Sequence, residues 1–288
     1  MEDLIRQLYQ DRAGERDTLA IVVVEKEYHP LSITDGFDVI ILLVNQNTDI
    51  TWDVKHYTVA NKYVSFHSLS QAMVHQTLII GNHRRLIDWI INGKIMFDRN
   101  EFLQEVKERI DIFPPGDRAK KMTIQFTKML RRFEEGKTLF RSGHLFDAFS
   151  NMMHSLHHLA RLSVIHHGLF PEVIVWEQVR YIEPQIYKLY HELLHSEESL
   201  EKRIELLILA TELAIHSKTE VGSQHFLSVI QSMNKEWSAS ELMGLSELSD
   251  YRLDIELLVR HLLEKRILTS ETEDTRAVGI NKIKYLLK

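Results

Sequence analysis

The chain has 288 residues, 44% of them hydrophobic, with 35 Lys and Arg against 41 Asp and Glu, which is room for two or three domains with buried cores. A formal charge of −6 supplies no global attraction to nucleic acid, and the absence of cysteine excludes disulfides and thiolate-held metals and fits a reducing, cytoplasmic setting. Residues 1–20 lack a signal-type apolar stretch and no apolar run reaches the ~18 residues of a membrane span, so neither is expected.

Leu4, Ile5, Leu8 and Tyr9 stand at helical spacing in residues 1–12, with Gly14 as the stop. Two continuous apolar runs follow, LAIVVV from Leu19 and FDVIILLV from Phe37. Each is too short and too evenly apolar for an amphipathic helix and predicts a strand buried on both faces. Pro30, Asp35 and Gly36 belong to the turn between them. Asp38, at the mouth of the second run, is the only charge between Gly36 and Asn45, and a carboxylate there must be compensated. Ile50, Trp52 and Val54 alternate with Thr51, Asp53 and Lys55, which predicts a half-buried antiparallel strand. A strand over Tyr63–His67 precedes a helix capped by Ser70 and running through Thr77. A further helix, His83–Ile91, stops at Asn92-Gly93, and Lys94–Phe97 is a last short strand. Asp98 is placed to cap a helix over Glu101–Ile110.

Pro114-Pro115-Gly116 ends this α/β region. From Asp117 to about Met233 strand signals vanish, and Gly136, Gly168–Pro171, Pro184 and Gly222 read as breakers between long helices. Leu145, Phe149, Met152, Leu156, Leu159 and Ser163 form one helical stripe; Ile204, Leu207, Ile208 and Thr211 form another, as in a helical bundle. After Trp237 come a short helix around Ser240–Leu245, a polar turn Ser246–Asp250 and an amphipathic helix Leu253–Lys265. Ile267–Ser270 and Ala277–Leu286 then flank the loop Glu271–Arg276. The order helix, turn, helix, ribbon resembles a small winged helix-turn-helix. The expected architecture is α+β in three domains: a mixed-sheet domain over 1–116, a helical domain over 117–235 and a winged-helix-like domain over 236–288.

A strand, a turn and a second strand opening on an acid resemble the core of the nucleotidyltransferase (polymerase-beta-like) superfamily. FDVIILLV, NKYVSFHS, a helix and GKIMFDRNEFLQEV are similar in order to the N-terminal domain of kanamycin nucleotidyltransferase. The whole chain resembles the YgxA-like family of bacterial proteins, nucleotidyltransferase-like in fold. The superfamily pattern implies a Gly-Ser pair after the first strand, two acids opening the second and a third acid on a later strand, together holding metal ions. Here Asp38 takes the place of the first acid, Ile40 of the second and Ser65 of the third, and Glu25-Lys26 stand near Gly-Ser. One aspartate cannot hold two divalent ions. The resemblance therefore implies a degenerate metal site and a regulatory protein that binds a nucleotide, another phosphorylated ligand or a protein partner. Asp38 and Glu134, the latter in RRFEEGK, are the catalytic candidates. Lys26, Asp35, Ser65 and Lys137 are the ligand-binding candidates. No metal or cofactor is expected, with Mg²⁺ entering only if Asp35 or Asp53 restores the ligand set of a working transferase. An RNA-directed protein acting through the helical or C-terminal domain is the other alternative.

His191-Glu192-Leu193-Leu194-His195 is a literal H-E-x-x-H, whose histidines share a helix face as zinc ligands would. Glu212 is a conceivable third ligand, but Ser196-Glu197-Glu198-Ser199 reads as the end of that helix, so zinc is not expected. His154, His157, His158, His166 and His167 cluster on one segment, and Arg161 with His166 resembles the R-x4-H motif of HEPN domains. In the C-terminal region Arg252, Arg260, His261, Lys265, Arg266, Lys282, Lys284 and Lys288 can contact phosphates. Asp250, Asp254, Glu256, Glu264, Glu271, Glu273 and Asp274 nearly cancel them, which favours a docking module or an intramolecular cap over a DNA reader.

Overall fold

The two apolar runs are the middle of a five-stranded sheet. In the computed structural model, which describes residues 2–28, 32–47, 52–81, 83–233, 235–274 and 279–288, α1 (Glu2–Ala13) leads into β1 (Thr18–Glu25) and β2 (Val39–Asn45). Pro30 of the expected turn, Ile50 and Thr51 of the expected third strand, and Thr275, Arg276 and Ala277 of the expected ribbon lie outside the described residues, as does the side chain of Leu4. β3 (Asp53–Val59) and β4 (Lys62–Ser70) follow, then α2 (Gln71–Ile80), α3 (Arg84–Asn92), β5 (Lys94–Asp98) and α4 (Phe102–Ile112). The strand order is β3-β4-β2-β1-β5, with β2 and β4 parallel and the other pairs antiparallel.

Position explains composition. Every residue of β2 is buried, and so is every residue of β1 except the last. Ile21, Val23, Ile41, Leu43 and Phe66 pack on one face with Ile5 and Tyr9 of α1. Val22, Val24, Ile40 and Leu42 face the other way by the two-residue period of a strand. β3 is an edge strand and largely exposed, with Val54 43% exposed. Of the expected alternation Trp52 is half-buried, but Val54 is exposed like Asp53 and Lys55, because among the described residues β3 has a strand partner on one side only. Ser70 does cap α2, its Oγ accepting from the Met73 amide at 3.4 Å, and the helix continues beyond Thr77 to Ile80. Asp98 accepts from the Leu103 amide at 2.9 Å, across a 3-10 turn at Arg99–Glu101.

The chain divides into two compact units, Met1–Pro114 and Pro115–Lys288. The second is built on α5 (Pro115–Arg141), α6 (Leu145–His166), α7 (Val175–Ile182), α8 (Pro184–His195) and α9 (Leu200–Met233). Gly136 and Gly222 do not break helices as their residue type suggested; they lie inside α5 and α9. A Cβ on Gly136 would meet Met152 at 2.8 Å, and one on Gly222 would meet the Phe126 side chain at 2.4 Å. Their role is close approach of α6 and α5, not termination. Among the described residues no helix is long and apolar enough to cross a membrane.

The same unit carries α10 (Ala239–Gly244), a 3-10 segment Ser246–Asp254, α11 (Ile255–Glu264), and the ribbon β6 (Leu268–Asp274) with β7 (Asn281–Leu287). Ser238 and Glu241 form a reciprocal capping box at the start of α10. The ribbon is longer than expected: Glu271 and Glu273 are not loop residues but lie on β6, opposite Lys284 and Lys282. Cross-strand pairing of acids with lysines explains how so polar a segment holds a strand.

Candidate functional site

Asp38 sits just ahead of β2, half-buried. Its amide donates to the Tyr63 carbonyl at 2.9 Å, its own carbonyl accepts from the Lys26 amide at 3.0 Å, and its Oδ2 accepts from the Tyr63 amide at 2.8 Å. The compensation that the carboxylate demanded comes from the Tyr63 amide at the mouth of β4.

The next residue on the same face of β2 is Ile40, 1% exposed, opposite Ser65 of β4 on one side and Val24 of β1 on the other. Ser65 is also 1% exposed, and His56 of β3 lies on its far side. Ser65 Oγ is 2.9 Å from His67 Nε2, and His67 Nδ1 is 2.9 Å from the Trp52 indole nitrogen. Indole N–H only donates, so His67 Nδ1 must accept and Nε2 must carry the proton it gives to Ser65. The imidazole is thereby held neutral, and burial, followed by the charge of His56, lowers its pKa from 6.5 to about 4. Trp89 of α3 covers it with ring centroids 4.8 Å apart. Of the three positions that the resemblance matched to acids, Asp38 carries a carboxylate, Ile40 an aliphatic side chain and Ser65 a hydroxyl engaged by histidine.

Asp35 and Gly36 form the turn before β2 with positive φ values of 52° and 89°, and the Asp35 carboxylate is paired with Arg85. Asp53 pairs in register with Ser68, itself opposite Leu43. That puts it at the far end of the sheet from Asp38, roughly 16 Å along the strand direction, where it pairs with Lys55 at 3.3 Å. Lys26 is exposed directly after β1, and its side chain makes no ion pair with a described residue. Sequence reasoning missed His67, Trp52, His56 and Arg85. His67 was legible as the residue two beyond Ser65 on the same strand face; Trp52, His56 and Arg85 arrive through strand pairing and helix placement.

Glu134 and Lys137 belong to α5 in the second unit and line one groove there, opposite Leu257, Arg260, His261 and Glu264 of α11. Glu134 is exposed, whereas Lys137 is held by Glu212 of α9 at 3.3 Å. His191 and His195 stack at 4.1 Å on α8, and His195 Nδ1 contacts the His191 carbonyl at 3.0 Å. His157, His158 and His167, in and just after α6, are each engaged by other side chains or backbone, and His166 and His167 meet edge-on at 5.7 Å. His158 bonds Gln125 at 2.9 Å, with its pKa lowered to about 3 chiefly by burial; His157 packs edge-on against Trp176; His167 reaches the Ser163 carbonyl. No group of three or more His, Asp or Glu converges in metal-holding geometry among the described residues.

The C-terminal module is tied to the helical part of its own unit. Asp254, almost fully buried, pairs with Arg131 of α5, and Asp250 pairs with Lys120 at 2.6 Å. His261 of α11 lies 3.0 Å from Thr219 Oγ1 and edge-on to Phe126.

Three family profiles cover nearly the whole chain: a nucleotidyltransferase-like domain over residues 1–118, a YgxA-like substrate binding domain over 119–218 and a helix-turn-helix domain over 224–287. The Bacillus subtilis (strain 168) protein YgxA is 38% identical over 288 residues, spanning 100% of this chain and 98% of that protein. The crystal structure of a nucleotidyltransferase-like protein from Exiguobacterium sibiricum 255-15 superposes with a TM-score of 0.85 at 36% identity, over 100% of this chain and 99% of the other. The chain belongs to the YgxA family of nucleotidyltransferase-like proteins.

Proposed function

We propose that this protein is a cytoplasmic regulatory member of the nucleotidyltransferase fold that binds a nucleotide or another phosphorylated ligand without two-metal transfer chemistry. The observation that carries the reading is the row Asp38, Ile40, Ser65 at the sheet mouth. Mg²⁺ takes hard oxygen ligands, and a metal pair needs several carboxylates between the ions. Ile40 is buried in the core, Ser65 is engaged by His67, and Asp38 already accepts the Tyr63 amide. Neither Asp53, at the far end of the sheet, nor Asp35, paired with Arg85, completes the set. Fewer carboxylates make the mouth less repulsive to a phosphate, and Lys26 supplies a cation beside it. Calorimetry with a nucleotide panel in EDTA and in Mg²⁺ tests this. Binding of similar strength in both, weakened in Lys26→Ala, is expected. Transfer of a nucleotidyl group that needs Mg²⁺ and disappears in Asp38→Ala would establish a working transferase instead.

The helix-turn-helix match over 224–287 favours nucleic acid as a second reading. Its charge argues for weak contact: Glu256, Arg260 and Glu264 occupy the exposed face of α11, and Arg260 is paired with Glu264 at 3.2 Å. Titration of labelled duplex DNA and RNA at two salt concentrations separates the readings, since phosphate contacts give a steep salt dependence.

A further inference from the structure

The groove between α5 and α11 has a volume of about 770 Å³, within the range of small-molecule sites. Four cationic side chains (Arg132, Lys137, Arg141 and Arg260) and three carboxylates (Glu134, Glu135 and Glu264) line it. Lys137 is held by Glu212 of α9 and Arg132 also donates to Asn151 at 3.1 Å, but the ion pairs of the arginines are exposed. Arg260 pairs with Glu264 one turn on, and Arg132 pairs with Glu135, all four side chains being at least 43% exposed. Such surface pairs are weak and readily exchanged for a better anion. Arg141, exposed at the end of α5, makes no ion pair among the described residues. Arg141 and Arg260 line the same groove, and guanidinium groups suit a phosphate, which takes their forked donors two at a time.

The carboxylates narrow the ligand. A bare polyanion would face Glu134 and Glu135 with nothing to offer them, whereas hydroxyl groups donate hydrogen bonds to carboxylates. No Trp, Tyr or Phe lines the groove, so a nucleobase meets no large aromatic face; the half-buried Leu139 and Leu257 instead offer aliphatic contact to the C–H face of a saturated ring. His261 is turned toward Thr219 and Phe126. We infer that this groove is a binding site for a phosphorylated polyol of the sugar-phosphate class. Arg141 and Arg260 hold the phosphate and Glu134 and Glu135 hold the hydroxyls. Arg260 and Leu257 lie on the second helix of the helix-turn-helix module, so the bound ligand touches that helix directly. The inference does not depend on the reading of the Asp38 mouth, which lies in the other unit.

Calorimetry on the full chain with glucose 6-phosphate, ribose 5-phosphate and glycerol 3-phosphate tests the assignment, with glucose, inorganic phosphate and AMP as comparisons. At least one of the three phosphates should bind saturably, and the comparison compounds about tenfold or more weakly. Arg141→Gln and Arg260→Gln should each weaken binding about tenfold. Hydrogen exchange across residues 255–264 should slow on binding. The assignment is overturned if none of the three phosphates binds at about 10 mM, if AMP binds as well as they do, or if both Arg variants bind like the parent. Unchanged exchange in α11 on saturation would overturn the contact with the helix-turn-helix.

Discussion

His67 is a residue whose protonation the fold decides. The folded state keeps it neutral down to about pH 4, while the unfolded chain takes up the proton near pH 6.5. Its contribution to stability is therefore full above pH 6.5 and is lost as the pH falls toward 4. Urea midpoints at several pH values should drop across that window, and His67→Asn should flatten the drop; an unchanged slope would show that the Trp52–His67–Ser65 chain is not formed. Asp38 permits a second test. Asp38→Ala removes the acceptor for the Tyr63 amide and should cost about 1–2 kcal/mol of stability, and Asp38→Asn, which keeps an acceptor, should cost less. Equal stability of all three proteins would mean the carboxylate is not used structurally.

Helix packing in the second unit turns on glycine at the scale of the element. Ala has the better helix propensity, by about 1 kcal/mol, yet Gly222→Ala drives a methyl into the ring of Phe126, which is fully buried. Overpacking of that kind costs about 1–3 kcal/mol, so the net effect should be destabilising. Gly116, in the first turn of α5 with nothing within 4 Å of an added Cβ, should respond in the opposite direction: Gly116→Ala is expected to be neutral or stabilising. Thermal melts of the two variants beside the parent decide it.

For the molecule as a whole, the C-terminal module is part of the second unit and not a free appendage. Arg131–Asp254, Lys120–Asp250, His261–Thr219 and His225–Tyr251 all join it to α5 or α9. A chain ending at residue 235 should expose Phe126, bind a hydrophobic dye and melt below the full-length protein. Asp254→Ala, which leaves Arg131 without its buried partner, should loosen the module enough to accelerate proteolysis after residue 235. A truncated chain as stable as the parent would show the module to be independent.

Residue order alone determined the two central strands, because a strand covered on both faces needs an unbroken apolar run and few other elements tolerate one. It also determined the caps at Ser70 and Asp98, which depend on contacts a few residues away, and the mixture of sheet, helical bundle and helix-turn-helix. The place of Asp38 at a strand mouth was legible for the same local reason. Tertiary structure decided the rest. β3 is an exposed edge because of strand order, Gly136 and Gly222 are packing residues because of which helices meet, and Glu271 and Glu273 form strand because lysines lie across from them. Around Asp38 the deciding contacts come from afar: Tyr63 is 25 residues away, and Arg85 reaches Asp35 across 50. Residue type reports what a side chain can do, but strand register and helix placement select its partner. That is why Ile40 and Ser65 could be read from the sequence as uncharged neighbours of Asp38, and why the Trp52–His67–Ser65 chain could not.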